Sequence, residues 1–181
     1  MKKWKIDSAH SEVKFKVKHL LVSTVTGQFN KIDAEIESPD ETFDNSKVTF
    51  SADVDSIYTK NEQRDGHLKS ADFFDAEKNP KLTFVSKEFK KISEGKFELT
   101  GDMTIRGITK VVTLNVEYNG IAKGFDGLEV AGFEITGKLN RFDFGLQWNA
   151  MTEAGGIVVG PDVKLEIFAE MKVAAEVSKA A

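Results

Sequence analysis

The sequence predicts an all-β fold, an eight-stranded antiparallel barrel with a short helical insertion at about residues 59–75, on three observations. Apolar and polar residues alternate in eight separate runs, and successive side chains of a strand point to opposite faces, so each run is a strand with one buried face. Turn-forming clusters punctuate those runs. One long stretch, from Asp55 to Lys81, breaks the period and carries helix-capping residues instead. Eight one-faced strands can stack as a sandwich or close as a barrel, and closure is the solution that abolishes exposed edges. At 181 residues the chain is expected to be a single domain, 1–181, with a sizeable core.

In chain order, the inward sets are Val13, Phe15 and Val17, then Ile32, Ala34 and Ile36, then Val48, Phe50, Ala52 and Val54, then Leu82 and Phe84. The second half contributes Phe97, Leu99, Met103 and Ile105, then Val112, Leu114, Val116 and Tyr118, then Phe133, Ile135 and Leu139. The last run is Val163, Leu165, Ile167, Ala169, Met171 and Val173. Ser38-Pro39-Asp40, Ser93-Glu94-Gly95, Gly107 and Gly124-Phe125-Asp126-Gly127 supply turns between them, making consecutive antiparallel pairing the natural topology. The tail after Val173, Ala-Ala-Glu-Val-Ser-Lys-Ala-Ala, is expected to fray.

A structureless loop as long as 55–81 is improbable inside a compact domain. Thr59-Lys60-Asn61-Glu62 has capping-box spacing, with the Thr59 hydroxyl placed to accept from a first-turn amide and Gly66 placed to end the turn. A helix at about 59–65 is predicted, followed by a second turn at Ser70 to Asp75 that Asn79-Pro80 stops. The segment is the candidate lid of the barrel.

Composition narrows the function. A net charge of −4 argues against a nucleic-acid partner, because displacing counterions from a phosphate backbone requires a concentrated basic face. Lys14, Lys16 and Lys18 fall on the polar side of their strand and read as a solvated face. With no Cys, thiol redox chemistry, disulfides and Cys-based zinc sites are excluded. Met1-Lys2-Lys3 is basic but no apolar stretch and small-residue cleavage site follow it, so the chain as written is expected to be cytoplasmic. No run approaches the ~20 apolar residues that span a bilayer. Phe, at 14 residues against two Trp and two Tyr, dominates the aromatic content, and it suits either a solid aromatic core or the wall of an apolar tunnel. An eight-stranded barrel accommodates both.

Motifs of catalysis are weak. Gly132-Phe133-Glu134-Ile135-Thr136-Gly137-Lys138 imitates a phosphate loop, but Leu139 stands where a Ser or Thr should hold magnesium, and the segment alternates as a strand. His10, His19 and His67 show no metal-ligand spacing, so no metal is assigned. His10 and Ser11, adjacent on a strand, point apart. The group Asn61, Arg64, Asp65 and His67 is richer: it can hydrogen-bond a ligand head group at the lid, or cap the helix and pin the lid to the barrel. No residue is assigned a catalytic role.

Five separated blocks, in order, resemble the YceI-like family of bacterial lipid-binding barrels. They are Ile6-Asp7-Ser8-Ala9-His10-Ser11 with His19 and Val25-Thr26-Gly27-Gln28-Phe29; Asp55-Ser56-Ile57-Tyr58-Thr59; Asn61 through Asp75 with Asn79-Pro80-Lys81-Leu82-Thr83-Phe84; Gly101-Asp102-Met103-Thr104-Ile105-Arg106-Gly107-Ile108-Thr109; and Arg141-Phe142-Asp143-Phe144-Gly145. The resemblance implies a lipocalin-like barrel enclosing a tunnel for a polyisoprenoid, an isoprenoid quinone or a similar long amphiphile, bound without catalysis and without another cofactor. For such a tunnel, inward phase and motif position select Phe15, Val17, Phe29, Phe50, Phe84, Met103, Ile105, Leu114, Ile135, Phe144 and Ile167 as the expected lining, with His19, Asn61, Arg64 and His67 near the mouth. Many members are periplasmic with a cleaved leader, which makes the periplasm the alternative compartment, and many are dimers, which adds a homodimer to the expectations. Two competing functions stay open: an enzyme acting on a lipid at Arg64-Asp65-His67, and an interaction or stress protein with a filled barrel.

Overall fold

The computed structural model describes residues 1–174. In chain order the strands are β1 (Lys2–Ile6), β2 (Glu12–His19), β3 (Ser23–Phe29), β4 (Ile32–Ser38), β5 (Lys47–Asp53) and β6 (Ile57–Tyr58). The helix α1 (Glu62–Lys69) follows, then β7 (Lys81–Ser93), β8 (Lys96–Ile105), β9 (Ile108–Lys123), β10 (Glu129–Asn140) and β11 (Val159–Val173). Short 3-10 turns occupy Val54–Ser56 and Arg141–Phe144. Apart from Ala174, the tail expected to fray lies outside the described residues.

The sheet is antiparallel and closes on itself: β1-β4-β5-β7-β8-β9-β10-β11 form a ring, sealed where β1 pairs with β11. The three strands that periodicity does not reveal, β1, β3 and β6, extend the first three barrel strands. Ile6 pairs with Met171 and Val13 with Ile167, so β1 and β2 take successive stretches of one edge of β11 and are halves of one bent strand. β4 pairs with β1 and β3 with β2 across the same bend. The third strand breaks at Val54–Ser56, where Asn30 N donates to Ser56 O and Val54 N to Pro80 O. Long strands wrapped around a narrow barrel must bend, and these backbone bonds keep the bends satisfied.

Every apolar set assigned from alternation faces inward, as Phe97, Leu99, Met103 and Ile105 illustrate, all buried. Arg106 and Gly107 both hold positive φ (51° and 73°) in the β8–β9 turn, the backbone that a two-residue hairpin demands and that glycine adopts without penalty. The predicted helix is displaced. It covers Glu62–Lys69 rather than 59–65, Asn61 is its N-cap, and Gly66 lies inside it with open space where a Cβ would project. Thr59 is drawn out of the cap because Asp65 accepts from both its amide (2.9 Å) and its hydroxyl (2.5 Å).

One end of the barrel is packed solid. Trp4 and Phe43 are fully buried, and Phe43 meets Trp4 at 5.2 Å, Tyr118 at 5.2 Å and Phe133 edge-on at 5.0 Å. Phe43 comes from the β4–β5 loop with φ at 61°, an unusual backbone for an aromatic residue. Burying each ring contributes about 1.5–3 kcal/mol, which offsets that local strain. Trp4 Nε1 donates to Ser38 Oγ at 3.1 Å, so the indole is buried with its polar atom satisfied.

Candidate ligand-binding cavity

Beyond this aromatic floor the barrel is hollow, enclosing a cavity of about 570 Å³. Its wall is built from the inward phase of the strands. Phe15 and Val17 of β2, Phe29 of β3, Phe50 of β5, Phe84 of β7, Met103 and Ile105 of β8, Leu114 of β9, Ile135 of β10, Phe144 of the 3-10 turn that follows β10, and Ile167 of β11 all border it. His19, Asn61, Arg64 and His67 border it too, at the end away from the floor. Small residues leave room for large ones across the sheet. Gly27 stands opposite Phe15, and a Cβ on it would lie 2.2 Å from Phe15 Cζ, so the ring lies over a position that only glycine can occupy without displacing it.

The mouth is roofed by the insertion and by the loop between β10 and β11. Asn61 Oδ1 accepts from Arg64 N (2.9 Å) as the helix cap. Arg64 donates through Nε to Thr59 Oγ1 (2.8 Å) and through Nη2 to Thr59 O (2.6 Å). His67 Nε2 pairs with Asp72 Oδ2 at 2.8 Å, and its ring stands edge-on to Trp148 at 4.6 Å and to Phe73 at 5.0 Å. Arg106 joins the two covers, donating to Gly145 O (2.7 Å) and Ala71 O (2.9 Å). The lid residues are therefore engaged in holding the lid. Asp65 serves Thr59 while His67 has Asp72, so no side-chain hydrogen bond links Arg64, Asp65 and His67 to one another.

Sequence reasoning did not single out Arg141, Leu146, Trp148 or Val158, which also border the cavity. Leu146, Trp148 and Val158 lie in an aperiodic loop, where no spacing announces an inward side chain. Arg141 is buried at 4% exposure and donates to the carbonyls of Gly160 (2.9 Å), Trp148 (2.8 Å), Val159 (3.2 Å) and Leu146. Burial, which disfavours the charged form, pushes its pKa down. Tyr118, beside the floor, is pushed up chiefly by the same cause.

Asp7, His10 and Glu170 gather on the outside of the barrel. Lys172 Nζ already lies 2.7 Å from Asp7 Oδ2, so a side-chain cation is already paired with that carboxylate. Together with His10 it holds the Asp7 carboxyl well below the usual carboxylate range. Among the described residues no helix is long and apolar enough to cross a membrane.

A closed antiparallel barrel around an apolar cavity, lidded by a short helix, defines the class of protein. The chain belongs to the YceI-like family: the model of the YceI-like domain matches residues 4–171. A UPF0312 protein of Staphylococcus aureus strain MSSA476 is 43% identical over 174 residues, covering 96% of this chain and 99% of the relative. The crystal structure of the Campylobacter jejuni YCEI protein shares 36% identity with a TM-score of 0.75, covering 87% of this chain and 90% of that one. A polyisoprenoid binding domain from Saccharophagus degradans, implicated in plant cell wall breakdown, superposes with a TM-score of 0.70 over 94% of this chain and 98% of its own, at 12% identity. That last likeness is one of fold.

Proposed function

We propose that this protein is a non-catalytic carrier of one long apolar or amphiphilic molecule, a polyisoprenoid, an isoprenoid quinone or a similar lipid, held inside the barrel. The observation that carries this reading is the cavity: about 570 Å³, walled by apolar side chains, closed at one end by aromatic rings and bordered by polar groups at the other. A single-ended apolar tunnel suits a molecule with one apolar tail and one polar head. The polyisoprenoid-binding domain with the same fold supports the ligand class.

The driving force is the transfer of the tail from water. Roughly 15 buried carbons at ~0.8 kcal/mol each give about 12 kcal/mol gross, reduced by the several kcal/mol that association costs. Micromolar to nanomolar binding follows. Catalysis is no part of this reading: Arg64 and Asp65 both bond Thr59 and His67 pairs with Asp72, which supports a structural role for these lid groups.

The test is titration with geranylgeraniol, followed by quenching of Trp148 and by the chemical identity of the extracted alcohol. Saturation at one molecule per chain with the alcohol recovered unchanged is expected. Failure to saturate, or conversion of the alcohol, contradicts the reading.

A further inference from the structure

We infer that the molecule carried has an anionic head group, a carboxylate or a phosphate, seated at the mouth against Arg141 and Arg64; this rests on the carrier reading above. The chain has 29 acidic residues against 25 Lys and Arg, yet among the described residues no Asp or Glu borders the cavity. Its inward ionisable groups are His19, Arg64, His67 and Arg141. Lys14 and Lys18 also border it, but in β2 they alternate with the inward Phe15, Val17 and His19, and the Lys14 ammonium lies over the ring of Phe168 on the outer face. The inner surface is thus cationic in a protein that is acidic as a whole.

Arg141 is the centre of this asymmetry. Among the described residues it has no carboxylate within ion-pair distance, and its bonds all run to backbone carbonyls. Those carbonyls satisfy most of its donors but carry no formal charge, and one Nη2–H is left over. A buried cation without a counter-ion is costly, and an anion brought by the ligand would relieve that cost in a low-dielectric site where charge-assisted bonds are strong. Arg64, among the described residues, has no carboxylate within ion-pair distance and is linked to Asp65 through the Thr59 hydroxyl. The floor offers the ligand no charged side chain, so the head group must lie at the mouth with the tail pointing toward Phe133.

The experiment compares matched ligands on the full chain: geranylgeranyl phosphate against geranylgeraniol, and palmitate against hexadecanol. The anion of at least one pair should bind at least about tenfold tighter than its alcohol, the scale of one charge-assisted hydrogen bond, and the pair showing the larger ratio identifies phosphate or carboxylate. The preference should shrink in Arg141→Gln and in Arg64→Gln; should Arg141→Gln fail to fold, the wild-type ratios and Arg64→Gln still decide. Equal binding of anion and alcohol in both pairs, or a preference unchanged in the folded variants, overturns the inference and leaves the carrier reading standing. No uptake of any of the four ligands overturns the carrier reading itself.

Discussion

The two ends of the barrel are lined by similar residues and do opposite things with them. At the floor, Trp4, Phe43, Tyr118 and Phe133 meet ring to ring at 5.0–5.3 Å, and Phe89 stacks on Phe97 at 4.9 Å. Toward the mouth, Phe15, Phe50 and Phe84 line the cavity, which Phe89 and Phe133 border only from the floor side. What separates the regions is a plug: Phe43, delivered by a loop, fills the axis at one end, whereas the loops of the other end lie across the mouth as a roof. Hydrophobic alternation is thus compatible with a filled interior and a hollow one in a single molecule, and the loops decide which applies where.

The contrast can be broken by truncating one ring at each end. Trp4→Ala or Phe133→Ala should cost about 3–5 kcal/mol, because close-packed neighbours cannot collapse onto the gap. Phe15→Ala should cost less than about 2 kcal/mol, since its ring borders the cavity and is not enclosed by close-packed neighbours. Urea denaturation of the three variants checks this; equal losses would mean that the two halves are packed alike. Phe43→Ala sharpens the point from the other direction. It should remove the plug as well as destabilise the fold, so that the variant gains affinity for longer isoprenoid alcohols relative to shorter ones, measured by ligand titration.

A smaller effect is expected from Gly27→Val. Pushing the Phe15 ring into the cavity displaces about two methylenes of ligand, at ~0.8 kcal/mol each, which weakens binding roughly tenfold in a ligand titration. A variant that binds as tightly as the wild type would place the tail elsewhere. The smallest effect lies outside the barrel, at Asp7. Its depressed pKa means that the ionised form is favoured by folding, so its contribution to stability is full above the unfolded carboxylate value of about 3.9 and fades as pH falls toward the folded value. Asp7→Asn should therefore lower the urea midpoint slightly at pH 7, with the difference from wild type shrinking below about pH 4; a difference that grows in acid would reverse the assignment.

Much of this was legible in the chain, for physical reasons. Strand phase was readable in most of the segments where apolar residues alternate, and the eight runs correspond to the eight barrel strands. The missed segments carry that contrast weakly. In β1 only Trp4 and Ile6 alternate, among three Lys in five residues with no turn signal before them, while in β3 the inward position between Val25 and Phe29 is Gly27, whose side is filled by Phe15 from the neighbouring strand. The helix was misplaced by three residues because Asp65 competes with the helix end for Thr59. At the site, residues on strands or in the lid motif could be named from phase and resemblance, whereas Trp148 and Phe43 sit in loops whose path is set by tertiary packing. Arg141 stood in a quoted motif, but nothing in its neighbours announces that it will be buried without a carboxylate.

Native mass spectrometry of freshly purified protein, followed by organic extraction, decides whether the hollow half holds a lipid. The expected mass exceeds that of the chain by one long-chain molecule, recoverable in the organic phase in stoichiometric amount. Protein of bare sequence mass that also fails to take up added octaprenyl compounds would contradict it.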